Sequence, residues 1–184
     1  MKSKKPSKSI YTILILLILS LFLSACAGSA STVASGWAGI TSDQDTAYLA
    51  FSNQIVAVNL TNGTERWRFP AEANAKITFY ADPVLTESGQ LLAGSYDSIL
   101  YSINPANGLG TPFFSGAENR YIGSPLVTAD MIYAPSADHK LYAIGMDGQL
   151  IWYFETSEPL WAQPAIDPSC DCIYLPSMDH RVYA

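Results

Sequence analysis

Residues 136–142 read SADHKLY, residues 177–183 read SMDHRVY, and residues 95–101 read SYDSILY, each copy 41 positions from the next. A phrase rewritten at a fixed spacing of about forty residues is the mark of a repeat architecture, in which each copy is one supersecondary unit stacked on its neighbours. The flanks repeat as well. Upstream lie ADPVLT, GSPLVT and AQPAID, which put Pro83, Pro125 and Pro164 in register. Downstream lie a turn dipeptide and an aromatic pair: Asn62-Gly63 before Trp67 and Phe69, and Asp147-Gly148 before Trp152 and Phe154. The middle copy is degenerate, with Gly108 followed by Pro112, Phe113 and Phe114.

Within one repeat, short runs rich in Val, Ile, Leu, Tyr and Phe are cut by turn residues every few positions, and no stretch after Cys26 offers a helical face. The clearest copy predicts strands at SPLVT, MIYAP, KLYAI and LIWYF. Four antiparallel strands per repeat describe a propeller blade, so the expected fold class is an all-β propeller. Repeats begin near Trp37, Asp82, Ser124 and Gln163, and the sequence stops at Ala184 inside the third strand of the fourth. Residues 36–184 are expected to form three blades and part of a fourth. A closed ring of seven or eight such repeats needs roughly 300 residues, so the expectation is the N-terminal portion of a longer propeller.

Asp138-His139 and Asp179-His180 fall at the tight connection between the second and third strands. Hairpins there call for positive φ, which Asp, Asn and His tolerate better than most residues. That turn role is preferred for His139 and His180 over metal ligation, because two histidines without a third ligand make a poor site. Cys170 and Cys172, one residue apart on a strand, would share a face, and bridging them closes a very small ring; free or packed thiols are expected.

The stretch AVNLTNGTERW, Ala57 to Trp67, resembles the A-x-D-x-x-x-G-x-x-x-W repeat of quinoprotein (PQQ-like) propellers, with Asn59 in place of the usual Asp. The resemblance covers nearly everything from Trp37 onward. It implies that Trp67 and Trp152 dock between neighbouring blades. It leaves function open between two classes. One is a binding or scaffold module of the cell envelope, similar to the propeller lipoprotein of outer-membrane protein assembly. The other is the N-terminal part of a quinoprotein-type oxidoreductase. Enzymes of that kind hold their quinone with an adjacent-cysteine disulfide, calcium and a catalytic aspartate; no Cys-Cys pair occurs here, and no cofactor or catalytic residue is assigned.

The first residues have a different chemistry. Lys2, Lys4, Lys5 and Lys8 precede a fourteen-residue apolar run from Ile10 to Leu23 and then Leu23-Ser24-Ala25-Cys26. That is the order of a secretion signal, and the run is shorter than the ~20 residues needed to span a bilayer. The last four residues resemble a bacterial lipobox, which implies a signal at 1–25, lipidation at Cys26, and attachment to a bacterial membrane at the cell surface or in the periplasm. Residues 26–35, small and polar, read as a tether. From Cys26 on, six basic residues face sixteen acidic ones, a net charge of −10. Such a balance excludes a nucleic-acid partner, which needs clustered Lys and Arg; the expected partner is an envelope protein or polymer.

In antiparallel blades the 2–3 hairpins share one end with the connections into the next blade. Asp97, Asp138, His139, Asp179 and His180 should gather there with Lys76, Tyr80, Arg120, Tyr121 and Trp161. This end is the candidate binding face, because loops on a rigid scaffold carry recognition and aromatic and Arg residues anchor interfaces.

Overall fold

The computed structural model describes residues 39–184, so the signal, Cys26, the tether and Trp37 lie outside the described residues. The described chain is all-β. The first sheet is β1 (Ile40–Ser42), β2 (Thr46–Phe51), β3 (Gln54–Asn59) and β4 (Glu65–Phe69). The second is β5 (Val84–Leu85), β6 (Leu91–Gly94), β7 (Leu100–Ile103) and β8 (Gly110–Phe114). The third is β9 (Leu126–Val127), β10 (Met131–Pro135), β11 (Lys140–Gly145) and β12 (Leu150–Glu155). The fourth has three strands, β13 (Ala165–Asp167), β14 (Cys172–Pro176) and β15 (Val182–Tyr183). Every sheet is an antiparallel meander in sequence order, and no strand pair joins the fourth sheet to the first among the described residues. This is a partial β-propeller.

Its hydrophobic core is three successive interfaces. Tyr48, Ile55, Ala57 and Trp67 of the first sheet meet Leu91, Ala93, Tyr101 and Ile103 of the second. Leu92, Leu100 and Phe114 of the second meet Ile132, Ala134, Tyr142 and Ile144 of the third. Leu141 of the third meets Leu175 of the fourth, flanked by Tyr133 and Tyr183. Successive side chains on a strand point to opposite faces, so Leu91 and Leu92, like Leu141 and Tyr142, serve different interfaces. Middle strands buried on both faces read as continuous apolar runs, which explains MIYAP and KLYAI.

One connecting residue plugs each interface: Phe79 the first, Tyr121 the second and Leu160 the third, all buried. The amide N–H of each donates to the preceding sheet's 2–3 turn, Phe79 to Ser52 O, Tyr121 to Ser95 O and Leu160 to Ser136 O. Each stands four residues before its proline, Pro83, Pro125 or Pro164.

Two expectations are corrected here. Trp67 docks between sheets as the resemblance implies, its Nε1–H donating to Pro105 O at 2.8 Å. Trp152 is not enclosed in this way; it lines the space between the third and fourth sheets but stays 42% exposed among the described residues, against 9% for Trp67, touching Tyr133 at 5.9 Å between ring centroids. Trp67 is covered by the 3–4 turn of the next sheet, Pro105 to Gly108, and among the described residues no such turn lies over Trp152. The other correction is that Cys170 and Cys172 form a disulfide. Extended residues i and i+2 lie about 6.6 Å apart. Here Cys170 stands in the turn before β14, and Asp171 takes a left-handed φ of 55°, drawing the Cα atoms to 5.2 Å, inside the bridging range.

Candidate functional site at the hairpin end of the sheets

The repeated heptapeptide builds one end of every sheet. In each of its three copies the Ser hydroxyl donates to the incoming connection, Ser95 to Thr78 O, Ser136 to Asn119 O and Ser177 to Glu158 O, at 3.2 to 3.3 Å. The next residue's N–H donates to the same connection, Tyr96 to Thr78 O, Ala137 to Arg120 O and Met178 to Pro159 O. The hairpin turns and the connections are therefore stitched together at one end, where the antiparallel topology places them.

The three aspartates of the phrase are held inside it. One carboxylate oxygen accepts the N–H two residues on, from Ile99, Lys140 or Arg181. The other accepts the Tyr hydroxyl four residues on: Tyr101 to Asp97 at 2.7 Å, Tyr142 to Asp138 at 2.8 Å and Tyr183 to Asp179 at 2.6 Å. Burial and then this bond push Tyr101 and Tyr142 well above the usual phenol range. The Tyr183 hydroxyl bond holds Asp179 below the usual carboxylate range. Asp138 also accepts the Glu118 N–H at 2.7 Å, and Lys140 Nζ lies 3.1 Å from the Glu118 carboxylate. These carboxylates thus wire the turns and have less capacity left for a ligand. His139 and His180 take φ values of 73° and 65° as the turn requires, with Ser98 at 68° in the second sheet. His139 is half-buried and contributes its carbonyl to Thr156, whereas His180 is exposed.

What remains available is aromatic and cationic. Tyr80 and Tyr96 stack at 4.4 Å between centroids, and the Arg120 guanidinium stands 4.9 Å over the Tyr96 ring. A guanidinium over an aromatic face gains from the ring quadrupole. Arg120 has no carboxylate partner among the described residues, whereas Arg66, Arg68 and Lys140 are paired with Asp45, Glu65 and Glu118. Trp161 is 46% exposed, and Met178 is exposed on the neighbouring hairpin. Lys76 is exposed on the connection into the second sheet, its N–H held by Asn74.

Tyr121 is not on this face. It is 1% exposed, packed where a Cβ on Gly94 would come within 2.6 Å of its own Cβ. Its hydroxyl is buried without a hydrogen-bond partner, and burial pushes its pKa well up. Counting back from the three prolines separates the two roles. Four residues before lie Phe79, Tyr121 and Leu160, all plugs; three before lie Tyr80, Ile122 and Trp161, none of them buried. Sequence reasoning missed Tyr96, although it occupies the variable second position of the repeated phrase, where Ala137 and Met178 stand in the other copies.

A cavity of about 450 Å³ lies between the third and fourth sheets, lined by Tyr133, Trp152, Phe154, Cys172, Leu175 and Tyr183 among others. Among the described residues no group of three or more His, Cys, Asp or Glu side chains is placed to hold a metal ion. The disulfide spans an intervening residue. The donor set of the described residues does not fit a calcium-held quinone.

The family profile described as "Outer membrane protein assembly factor BamB" matches residues 27–184. No curated protein sequence matches the chain. Among solved structures, the computationally designed Ika4 protein is similar in fold at a TM-score of 0.65 and 10% identity, over 81% of this chain and 90% of that one. The computationally designed Ika8 protein is similar at a TM-score of 0.63 and 10% identity, over 78% of this chain and 43% of that one. This chain thus spans less than half of the Ika8 chain, and at such identity the likeness is one of fold alone. With the repeat, the meander sheets and the docked Trp67 all in agreement with that profile, the chain belongs to the PQQ-like propeller-repeat family described as outer membrane protein assembly factor BamB.

Proposed function

We propose that the chain is a binding or scaffold module of the bacterial cell envelope, associated with the outer membrane and engaging a protein partner through the hairpin end of its sheets. The observation that carries this reading is the Tyr80–Tyr96–Arg120 ladder. It offers a pre-ordered guanidinium with no carboxylate partner among the described residues, beside exposed Trp161 and Met178, and rigid aromatic and Arg groups are the usual anchors of protein interfaces. The family description supports the setting. Replacing Arg120 and Trp161 together by Ala should weaken binding of the native envelope partner at least tenfold and leave the melting temperature nearly unchanged. A photo-crosslinker at position 161 should give a discrete adduct that one at Asn107, at the opposite end of the second sheet, does not. Undiminished binding, or equal crosslinking from both positions, rejects this face.

Lipid anchoring at Cys26 belongs to the same proposal, supported by the order Lys-rich start, apolar run and Leu-Ser-Ala-Cys. Cys26→Ser should abolish incorporation of labelled fatty acid and move the protein to the soluble fraction. Continued membrane retention without label counts against it.

A further inference from the structure

Cys170 and Cys172 are joined across Asp171 at the turn between β13 and β14. A disulfide stabilises a fold chiefly by closing a long loop in the unfolded chain. This one encloses a single residue, so it adds little stability. The strands it joins are already paired, Ala165 with Tyr174, Ile166 with Ile173 and Asp167 with Cys172. The turn also needs no bridge for its shape: the corresponding 1–2 turn of the second sheet is made by Gly89, at a φ of 79°, with no cysteine near it. At 55°, Asp171 adopts the same left-handed region without glycine's freedom. Cys170 and Asp171 are exposed, while Cys172 is half-buried and lines the cavity between the third and fourth sheets. Exposed bridges of this kind are the ones that exchange readily with thiols.

We propose that Cys170–Cys172 is a redox-active disulfide that exchanges with cysteine thiolates of polypeptides in the envelope. A substrate thiolate attacks the exposed Sγ of Cys170. A substrate–Cys170 bond forms, the Cys170–Cys172 bond breaks, and the electron pair leaves on Cys172 Sγ, which takes a proton from water. A second substrate thiolate then attacks the substrate sulfur of this mixed disulfide. The substrate disulfide forms and Cys170 departs as a thiolate that is protonated in turn. The substrate dithiol loses two electrons and two protons, and the protein, whose bridge is the oxidant, gains them as two thiols.

The test uses the full chain and reduced glutathione as the thiol. Purified under air, the native protein should show no free thiol at Cys170 or Cys172 by mass spectrometry after alkylation. Excess glutathione should then open the bridge without denaturant, yielding alkylatable thiols at both Cys170 and Cys172. Cys172→Ser, treated with oxidised glutathione, should gain one glutathione per chain at Cys170, and faster than Cys170→Ser gains it at half-buried Cys172. The double variant Cys170→Ser/Cys172→Ser should keep the urea midpoint of the native protein. The proposal is overturned if the two thiols stay free under oxidised glutathione, if the bridge opens only on unfolding, if Cys170 forms no mixed disulfide, or if the double variant's midpoint drops.

Discussion

The seven-residue phrase repeats because nearly every polar atom in it has a fixed task. Its Ser binds the incoming connection, its Asp binds both the turn and the Tyr hydroxyl, and its fourth residue supplies the left-handed φ. Asp138 is the most heavily used copy, accepting from Glu118 N, Lys140 N and Tyr142 Oη. Asp138→Ala strands those donors at a half-buried site and should cost about 1 to 3 kcal/mol in urea unfolding. Asp138→Asn should cost less than the Ala variant, because its amide oxygen can take the place of Oδ2 and only the Lys140 N–H then faces the NH2. His139→Val should cost about 1 to 2 kcal/mol, since a β-branched side chain is strained at a φ of 73°, and His139→Gly should be neutral within error. The positive φ was legible in the sequence, because Asp-His stands where a hairpin must turn. The Asp–Tyr bond was not, because four residues along a hairpin are brought together only by the pairing of strands.

Among elements, the fourth strand of each sheet shows how one sequence position meets different fates. Trp67 and Trp152 occupy the same place in the repeat, yet Trp67 lies against Gly108, where a Cβ would approach its ring to 2.7 Å, and Trp152 has no such lid among the described residues. Trp67→Ala should therefore cost about 3 to 5 kcal/mol, and Trp152→Ala less than half as much. Gly108→Ala should be severe as well, because it adds that clash to a φ of 72°. Equal losses for the two tryptophans in chemical denaturation would show that Trp152 is docked. The third-to-fourth strand ladder also slips by a residue in every complete sheet, between Ala57 and Val58, Leu100 and Tyr101, and Ala143 and Ile144. A bulge of this kind adds twist and carries no residue signature in these three runs.

Across the whole molecule, stability rests on three interfaces whose tyrosines are buried as neutral phenols. Burial and then its bond to Asp43 push Tyr48 up to about 12, and Tyr101, Tyr121 and Tyr142 are raised as well. A group whose folded pKa is raised leaves the folded state holding more protons, so stability falls as pH climbs past the unfolded value. The contribution should be complete below about pH 10, the ordinary phenol value, and be lost as pH climbs toward 12. Urea midpoints should stay level in the mildly alkaline range and fall above about pH 10, with tyrosinate absorbance rising together with unfolding. Tyr48→Phe should flatten part of that fall. Tyrosines that all ionise near pH 10 in a still-folded protein would contradict the burial. On the acid side, backbone bonds from Asp45 and then the Tyr48 hydroxyl hold Asp43 low. Its contribution is present above the ordinary carboxylate value and is lost as pH falls below it.

Period, turn chemistry and strand alternation are local properties, written in residues close along the chain, so the propeller, its four repeats and its hairpins could be read from the sequence by itself. The hairpin end of the candidate site was legible for the same reason, since antiparallel order decides which turns are neighbours. Which residue at that end faces outward was decided only by the packing of one sheet on the next: Tyr121 sinks into the second interface because Gly94 leaves room for it, while Tyr80, Tyr96 and Arg120 are left to stack outside. The Cys170–Cys172 bridge belongs to the same class, for it depends on a single left-handed residue that turns a strand spacing into a bonding distance. Such outcomes depend on distances between chain segments 16 to 27 residues apart, or on one backbone angle, and neither is encoded in periodicity.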